Sequence, residues 1–345
     1  MTNINIEERM KHYRVQGLSL LVIENGQISK MEHHGTLEVG THHQVNERSV
    51  FNACSISKFF TSMLVMKLVE QGYLNLDEGV NEKLISWKVP ESPFTKHKKV
   101  TLRNLLCHQS GIIDPADSFP PLHALQAKPS IVDLLNGKTL YCQSRIEVSK
   151  EPWHEFHYSD AGFCIIQQLI EDVMKQSFDA IMDEFIFKSI NMENSTFSTS
   201  ITKSQEKTFA CGHYQNGELV AGNYPIYPYP AACGLWTSPN DLAKLLLEFM
   251  NAIKGSSKIG ISAKLAKEFI QPQGGKAWTG LGLFLDGTEH EVEISSLGWG
   301  VGFQCMLVAY PYLEKGFIVM TNTDLGVHQM KGIIGELYQS FMTST

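Results

Sequence analysis

The sequence lacks the long apolar run that a membrane-spanning helix needs. No stretch reaches about 18 consecutive apolar residues, and residues 1–9 show no basic segment followed by an apolar one. A secretory signal would have both of these features, in that order. We therefore expect a cytoplasmic protein without a membrane partner, although a trimmed leader would leave this same N-terminus.

Positive charge is scarce as well. The chain has 29 Lys and Arg residues against 36 Asp and Glu residues, which gives a formal net charge of −7. Its only local basic cluster, residues 96–99, is short and typical of a solvated loop. Because a nucleic-acid-binding protein normally presents an extended basic surface, nucleic acid is not expected as a partner.

The cysteines show no pairing pattern. There are seven, with no C-x-x-C motif, so free thiols in a reducing compartment are favoured over disulfides or a zinc site. His33, His34, His42 and His43 lack cysteine or carboxylate partners at metal-site spacing, which favours loop histidines over metal ligands. No metal and no cofactor is therefore expected. The cysteines are Cys54, Cys107, Cys142, Cys164, Cys211, Cys233 and Cys305.

Strand and helix patterns are unevenly distributed along the chain. With 345 residues, 43% of them hydrophobic, the chain can form one large domain or two closely joined ones. Strand patterns lie at both ends, and helical periodicity dominates the middle. This indicates an α/β domain made of both termini, with a helical domain inserted between them. The predicted strands are 17–24, 27–34, 281–286, 291–297, 302–310 and 316–322, and the predicted helices are 7–15, 55–72, 101–111, 131–190 with an interruption at 152–160, 238–253 and 326–342.

The chain is organised around Ser55, which lies three residues before Lys58 at the start of a long apolar helix pattern. On a helix, this spacing puts both side chains on one face. A serine hydroxyl needs a base to become a nucleophile, and a lysine can be that base only if it is kept largely neutral. A solvated helix start is the alternative interpretation of the same residues.

The S-x-x-K pattern by itself is weak. Two further matches occur in a polar stretch, Ser200/Lys203 and Ser204/Lys207, and neither has an apolar helix behind it. They show how readily the pattern arises by chance. The apolar helix that follows is what favours Ser55.

Tyr158 belongs to a second candidate segment, which opens an amphipathic helix pattern. A tyrosine set against a Ser–Lys pair can act as general acid or base, because positive neighbours lower its pKa. A half-buried tyrosine with one hydrogen bond is the simpler alternative. Tyr214 fits a Y-x-N pattern better, but Asn216 and Gly217 form a hairpin-turn signal that accounts for this asparagine structurally.

A third segment, Gly298-Trp299-Gly300-Val301-Gly302, is predicted to lie between two strands. Glycines at such a place allow the backbone to approach a ligand closely, as an oxyanion hole requires. A β-bulge or a tight turn would use the same residues.

Together these segments resemble the serine β-lactamase and penicillin-binding-protein superfamily, for which S-x-x-K is a known motif. The most similar branch contains class C β-lactamases, D-alanyl-D-alanine carboxypeptidases and family VIII esterases. The resemblance covers most of the chain and keeps the order and spacing of the motifs. The matching segments are the Ser55/Lys58 helix, T-L-R-N-L-L-C-H-Q-S-G at 101–111, F-H-Y-S-D at 156–160, A-A-C-G-L-W-T-S-P-N-D-L-A at 231–243 and G-F-I-V-M-T-N at 316–322.

The resemblance implies a β-lactamase-like α/β (α+β) fold, with an antiparallel sheet from both termini flanked by helices. Residues 1–66 and 282–345 would form this discontinuous domain, residues 67–281 a mainly helical one, and the active site would lie between them. Ser55 would be the nucleophile that forms an acyl-enzyme, while Lys58 and Tyr158 would share the proton transfers.

The resemblance also assigns binding residues. Backbone N–H groups of Ser55 and of a residue near Val301 or Gly302 would hold the oxyanion. His108 and Ser110 match a structural helix end and receive no chemical role. The residues expected to bind the substrate or the oxyanion are Asp160, Trp299, Gly300, Val301 and Gly302.

Two positions depart from the family pattern. Asp160 stands where an asparagine is usual, and its charge would favour a protonated Lys58 and leave more of the proton transfer to Tyr158. Trp299 stands where the third motif usually has a basic residue, and a tryptophan cannot offer a cation to the carboxylate of a penicillin or a peptide. A Trp-Gly third motif resembles the esterases and acyltransferases of the superfamily.

The sequence therefore predicts a serine hydrolase that acts on an ester or a small amide in preference to a β-lactam. An acyltransferase on the same site is one alternative. A penicillin-binding, β-lactamase-type or sensing protein, the last without turnover, is another. The expected partner is a small-molecule ester, amide or lactam, and the oligomeric state stays open.

Overall fold

The computed structural model describes residues 4–122, 127–198, 201–202, 205–288 and 291–343. The pairs Ser200/Lys203 and Ser204/Lys207 each include a residue outside these ranges. The strands are β1 (Gly17–Glu24), β2 (Gln27–Gly35), β3 (Phe51–Asn52), β4 (Ser195–Thr196), β5 (His213–Tyr214), β6 (Trp236–Thr237), β7 (Phe284–Asp286), β8 (Glu293–Gly300), β9 (Phe303–Tyr310), β10 (Lys315–Thr321) and β11 (Thr323–Asp324). The α-helices are α1 (Ile6–Tyr13), α2 (Ser57–Glu70), α3 (Leu102–Leu106), α4 (Ile131–Leu135), α5 (Asp160–Met174), α6 (Phe178–Met182), α7 (Pro230–Cys233), α8 (Pro239–Ile253), α9 (Ala263–Phe269) and α10 (Ile333–Met342).

The main sheet has six strands in the order β2-β1-β10-β9-β8-β7, and every neighbouring pair is antiparallel. Strands β1 and β10 pair with Leu21 opposite Ile318, so the two ends of the chain meet at the centre of the sheet. The mixed α/β fold with an antiparallel sheet from both termini is therefore confirmed.

The two faces of the sheet pack against different helices. Successive side chains of a strand point to opposite faces. In β1, Leu21 and Ile23 join the larger apolar cluster, which includes α2 and α5. Leu20 and Val22 join a second cluster, which α1 and α10 cover. The predicted active-site residues lie on the side of the larger cluster.

Helix α2 is buried along most of its length, as expected for a core helix with apolar residues all round. A short 3₁₀ turn, Cys54–Ile56, precedes it, so the α-helix begins at Ser57, two residues later than predicted. Ser55 therefore lies in the turn before the helix. Within the described ranges, no helix is long and apolar enough to cross a membrane.

Several other predicted boundaries were wrong, among them the end of α3, which lies at Leu106 and not at residue 111. The last helix begins at Ile333, because Gly332 has an extended backbone (φ −123°) that separates it from a preceding 3₁₀ turn. Helix α4 ends at Leu135, and helical structure resumes only at α5. Gly137 ends α4 because its φ of +68° lies in the left-handed region. Strand β8 continues past the predicted end at residue 297, because Gly300 still pairs with β9.

Candidate active site

A strained turn presents Ser55 at the start of α2. The preceding residue, Cys54, has a φ of +49°, which is uncommon for a residue other than glycine. Its N–H donates to Asn52 Oδ1 at 2.8 Å, and Asn52 Nδ2 donates to the Pro225 carbonyl at 2.9 Å. Ser57 Oγ closes the turn by donating to the Cys54 carbonyl at 2.6 Å. These bonds hold the nucleophile candidate in one position.

The Lys58 ammonium lies beside Ser55 and is only 3% exposed. Its Nζ donates to Ser55 Oγ at 3.3 Å, to Asp160 Oδ1 at 2.6 Å and to the Ala232 carbonyl at 3.0 Å. Burial lowers the pKa of Lys58, but the charge of Asp160 and further contributions from Tyr158 raise it by more, so that it lies well above its usual value. Lys58 is therefore protonated in the free protein. A raised pKa of Lys58 is the effect that the sequence predicted for a charged Asp160.

Tyr158 reaches the same space from the segment before α5. Its ring stacks on His108, with centroids 4.4 Å apart, and Lys58 Nζ lies 4.7 Å from its ring centroid. Although Tyr158 is 42% exposed as a whole, loss of water around its hydroxyl raises the pKa of this group to about 12, while Lys58 lowers it. The sequence argument considered only the positive neighbours, which lower this pKa. Their effect is smaller than that of the lost hydration, which raises it. Tyr158 keeps its proton at neutral pH and can donate it.

The His108 imidazole stacks against the Tyr158 ring. Its Nδ1 accepts a hydrogen bond from the Ser159 N–H at 3.1 Å. Burial, together with the charge of Lys58, lowers the pKa of His108 to about 3, so the imidazole is neutral. The residue is a positioning residue for Tyr158 through the ring stack, in addition to its place at the end of α3.

Asp114 holds the first turn of α5 and was missed by the sequence analysis. Its Oδ1 accepts from Ser159 Oγ at 2.6 Å, and its Oδ2 accepts from the Asp160 N–H at 2.7 Å. Burial and the neighbouring charge of Asp160 raise the pKa of Asp114 to about 6. No sequence motif marks this residue, since only the tertiary fold brings its loop to the start of α5.

Strand β8 passes directly against the turn that carries Ser55. A Cβ atom on Gly300 would lie 2.6 Å from Tyr227 Oη and 2.8 Å from Cys54 Sγ, so the strand leaves no room for a side chain there. The Val301 N–H, predicted to bind an oxyanion, donates to Tyr227 Oη at 3.0 Å. Tyr227 is thus a second residue of the site that the sequence analysis missed.

A cleft of about 730 Å³ opens beside Ser55. Of the predicted residues, the cleft brings together Ser55, Tyr158, Asp160, Trp299, Gly300 and Val301. Lys58 lines a small adjoining pocket that also contains Ser55 and Tyr158, and Gly302 lines neither space. Gly302 instead forms the turn after β8, where its φ is +76°.

Two cysteines flank the nucleophile candidate. Cys233 Sγ lies 3.5 Å from Ser55 Oγ, and burial raises the pKa of its thiol to about 12. Burial also raises the pKa of Cys54 well above its usual value. Because the thiolate is the reactive form, neither residue competes with Ser55 as a nucleophile at neutral pH.

The described residues contain no cluster of three or more histidine, cysteine, aspartate or glutamate side chains that could hold a metal ion. Of the four clustered histidines, which were interpreted as loop residues, two lie in the strand that was predicted at 27–34. His33 and His34 lie in β2, and His33 Nδ1 is within 2.8 Å of Ser19 Oγ. The strand extends to Gly35, where its pairing with β1 ends.

Comparison with known proteins identifies relatives over nearly the whole chain. The family model described as Beta-lactamase matches residues 3–333. Protein flp of Staphylococcus aureus (strain N315) is 24% identical over 323 residues, which cover 92% of this chain and 62% of that protein. The chain thus spans less than two thirds of the length of this curated relative.

Solved structures share the fold. The penicillin-binding protein from Bacillus halodurans has a TM-score of 0.75 at 20% identity, over 94% of this chain and 96% of that one. The octameric penicillin-binding protein homologue from Pyrococcus abyssi has a TM-score of 0.74 at 23% identity, over 93% of this chain and 72% of that one. At these identities the likeness establishes the fold alone.

Proposed function

Because the chain belongs to the Beta-lactamase family, we propose that it is a serine hydrolase that forms a covalent acyl-enzyme on Ser55. The observation that supports this most strongly is the contact of Lys58 Nζ with Ser55 Oγ at 3.3 Å, at the edge of an open cleft. A nucleophile and a titratable nitrogen within hydrogen-bond reach are the arrangement that nucleophilic catalysis requires.

The proton transfers follow from the protonation states of the site. Lys58 starts as an ammonium, so it can take the proton of Ser55 only while it passes one of its own to Asp160 Oδ1, 2.6 Å away. Ser55 Oγ then bonds to the carbonyl carbon of the substrate. Tyr158 starts protonated and donates its proton to the leaving group, whose bond to the carbonyl breaks. In deacylation, water gives a proton to the Tyr158 phenolate as its oxygen bonds to the acyl carbonyl carbon. The bond to Ser55 Oγ then breaks and the acid is released, while the proton held by Asp160 returns to Ser55 Oγ through Lys58.

The oxyanion is held by the Ser55 N–H and the Tyr227 hydroxyl in this proposal. Tyr227 Oη accepts a hydrogen bond from the Val301 N–H and keeps its own proton for donation. Burial raises the pKa of Tyr227 well above its usual value, so this proton stays in place. The role of Val301 is then to position Tyr227, and Gly300 provides the space between them.

An ester or a small amide suits this cleft better than a penicillin. The Trp299 side chain is 43% exposed and offers an apolar surface. Among the described residues that line the cleft, none is an arginine or a lysine, so the carboxylate of a penicillin would lack a cationic partner there.

We also propose a cytoplasmic location and two domains. All seven cysteines are buried free thiols, which suits a reducing compartment. The main sheet takes its strands from both ends of the chain, which supports a division into residues 1–66 with 282–345 and residues 67–281. The candidate site would then lie between the two domains.

Intact-protein mass spectrometry after addition of p-nitrophenyl butyrate tests the proposed function, with p-nitrophenolate release followed in parallel. Turnover with a transient butyryl adduct is expected in the wild type, and both should disappear in Ser55→Ala. Ser200→Ala is the matched control, because Ser200 belongs to another S-x-x-K match in the chain. Unchanged turnover in Ser55→Ala would contradict the proposal.

The same experiment with a penicillin separates the alternatives. The proposal expects little penicillin adduct. A penicillin adduct on Ser55 that persists for hours would instead indicate a penicillin-binding or sensing protein. Ester product that appears only after addition of an acceptor alcohol would indicate an acyltransferase.

A further inference from the structure

We propose that the cleft selects substrates that carry a positive charge, and that Asp324 and Trp299 form the subsite for the cationic group. This inference rests on the proposed hydrolase function and specifies its substrate class. Both residues line the cleft that contains Ser55. Neither a motif nor a neighbouring sequence pattern points to Asp324, which lies in the two-residue strand β11.

The geometry of the subsite is fixed by two hydrogen bonds. Trp299 Nε1 donates to Asp324 Oδ1 at 2.8 Å, and the Gly326 N–H donates to the same oxygen at 2.9 Å. Both bonds use one oxygen of the carboxylate, so among the described residues the lone pairs of Oδ2 are left for a ligand. The indole is held beside the carboxylate, and Trp299 as a whole remains 43% exposed.

An exposed indole next to a carboxylate is a favourable environment for a cation. The face of an aromatic ring attracts a cation through its quadrupole, and tryptophan does so most strongly. The carboxylate adds a direct charge attraction. Trialkylammonium and primary ammonium groups could both use this pair, since contact with the ring face requires no N–H donor.

The other charges of the cleft leave Asp324 uncompensated. Asp160, the second carboxylate that lines the cleft, is paired with Lys58 at 2.6 Å. His328 also lines the cleft, and its Nδ1 accepts a hydrogen bond from the Met330 N–H at 3.2 Å. No arginine or lysine lines the cleft in the described part of the chain. The cleft therefore presents a net negative charge to its substrate.

Two p-nitrophenyl esters of matched shape test the inference. One carries a trimethylammonium group at the end of a butyryl chain, and the other carries a tert-butyl group in the same place, so that the two differ in charge but hardly in size. We expect kcat/KM to be about tenfold higher for the cationic ester, mainly through a lower KM. This preference should decrease as salt is added, because the cleft is open to solvent.

Asp324→Asn keeps an oxygen for Trp299 and Gly326 but removes the charge, so the preference for the cationic ester should be lost. Glu91→Gln removes one exposed negative charge outside the cleft and should retain the preference. Equal kcat/KM for both esters in the wild type, or an unchanged preference in Asp324→Asn, would overturn the inference and leave the hydrolase proposal standing. Absence of turnover of both esters would overturn the hydrolase proposal itself.

Discussion

At the scale of single residues, the site is controlled by how protons are distributed over Ser55, Lys58, Tyr158 and Asp160. A buried lysine without a partner would lose its proton readily. Asp160 prevents this at a distance of 2.6 Å. The site therefore has two protonated groups, Lys58 and Tyr158, next to the Asp160 side chain, and in the proposed mechanism the first proton transfer passes through Asp160.

Asp160→Asn should shift the pH dependence of the reaction. Removal of the carboxylate charge takes away the main effect that raises the pKa of Lys58, whereas its burial remains. The pKa of Lys58 should fall. Because an asparagine cannot take the proton that Lys58 passes on, turnover by this variant should require neutral Lys58, and the inflection of kcat/KM at which Lys58 loses its proton should lie at lower pH than in the wild type. A pH–rate profile with p-nitrophenyl butyrate measures this shift.

Asp183→Asn is the control for this experiment, because it breaks an ion pair with Lys188 at the surface of the protein. Its profile should match that of the wild type. An inflection that stays in place or moves to higher pH in Asp160→Asn would show that Asp160 does not set the protonation of Lys58.

At the scale of elements, the start of α5 carries two of the candidate site residues. Tyr158, Ser159 and Asp160 follow one another there, and Asp114 binds the last two. A carboxylate at a helix N-terminus accepts N–H groups that have no partner within the helix. The loop that carries Asp114 therefore sets the position of both Tyr158 and Asp160.

Asp114→Asn should change how stability depends on pH. The pKa of Asp114 is raised from 3.8 to about 6, so the folded protein binds this proton more tightly than the unfolded chain. The resulting contribution to stability is complete below about pH 4 and is lost as the pH rises through about 6. The free energy of unfolding of the wild type minus that of Asp114→Asn should decrease over this range.

Urea unfolding between pH 4 and 7 would measure this difference. Asp117→Asn, at an exposed position of the same loop, is the matched control for loss of a loop carboxyl. A difference that rises with pH would contradict the raised pKa of Asp114.

At the scale of the whole molecule, the sheet separates two apolar clusters. The larger cluster supports α2 and the cleft, while the smaller one lies on the opposite face under α1 and α10. Arg9 of α1 and Glu336 of α10 also form an ion pair across this face. Stability of the terminal helices and chemistry at Ser55 should therefore be separable.

Leu337→Ala tests this separation. Leu337 is 4% exposed in the smaller cluster, so its truncation should lower the free energy of unfolding by about 2–5 kcal/mol. The folded fraction should keep its turnover of p-nitrophenyl butyrate. Gln339→Ala, at an exposed position of the same helix, should change neither quantity measurably. A fall in turnover per folded molecule in Leu337→Ala would show that the two faces are coupled.

Local chemistry made much of the fold predictable. Asn25-Gly26 marks the β1–β2 turn, and Ser238 with Pro239 marks the start of α8, where Ser238 Oγ accepts the Asp241 N–H at 3.2 Å. The last helix was predicted too long because its apolar pattern continues upstream of Gly332, whereas the extended backbone of this glycine makes the helix begin only at Ile333. Periodicity records which side chains are apolar but does not record backbone angles.

The sequence by itself determined the α/β fold, the family and the candidates Ser55, Lys58 and Tyr158, because periodicity and motif order are properties of neighbouring residues. Only the tertiary structure decided that the surroundings of the Tyr158 hydroxyl raise its pKa, that the Val301 N–H donates to Tyr227, and that Asp324 bonds to Trp299 in the cleft. Burial, and contacts between residues that are distant in the chain, depend on how the elements pack, and no local pattern specifies them.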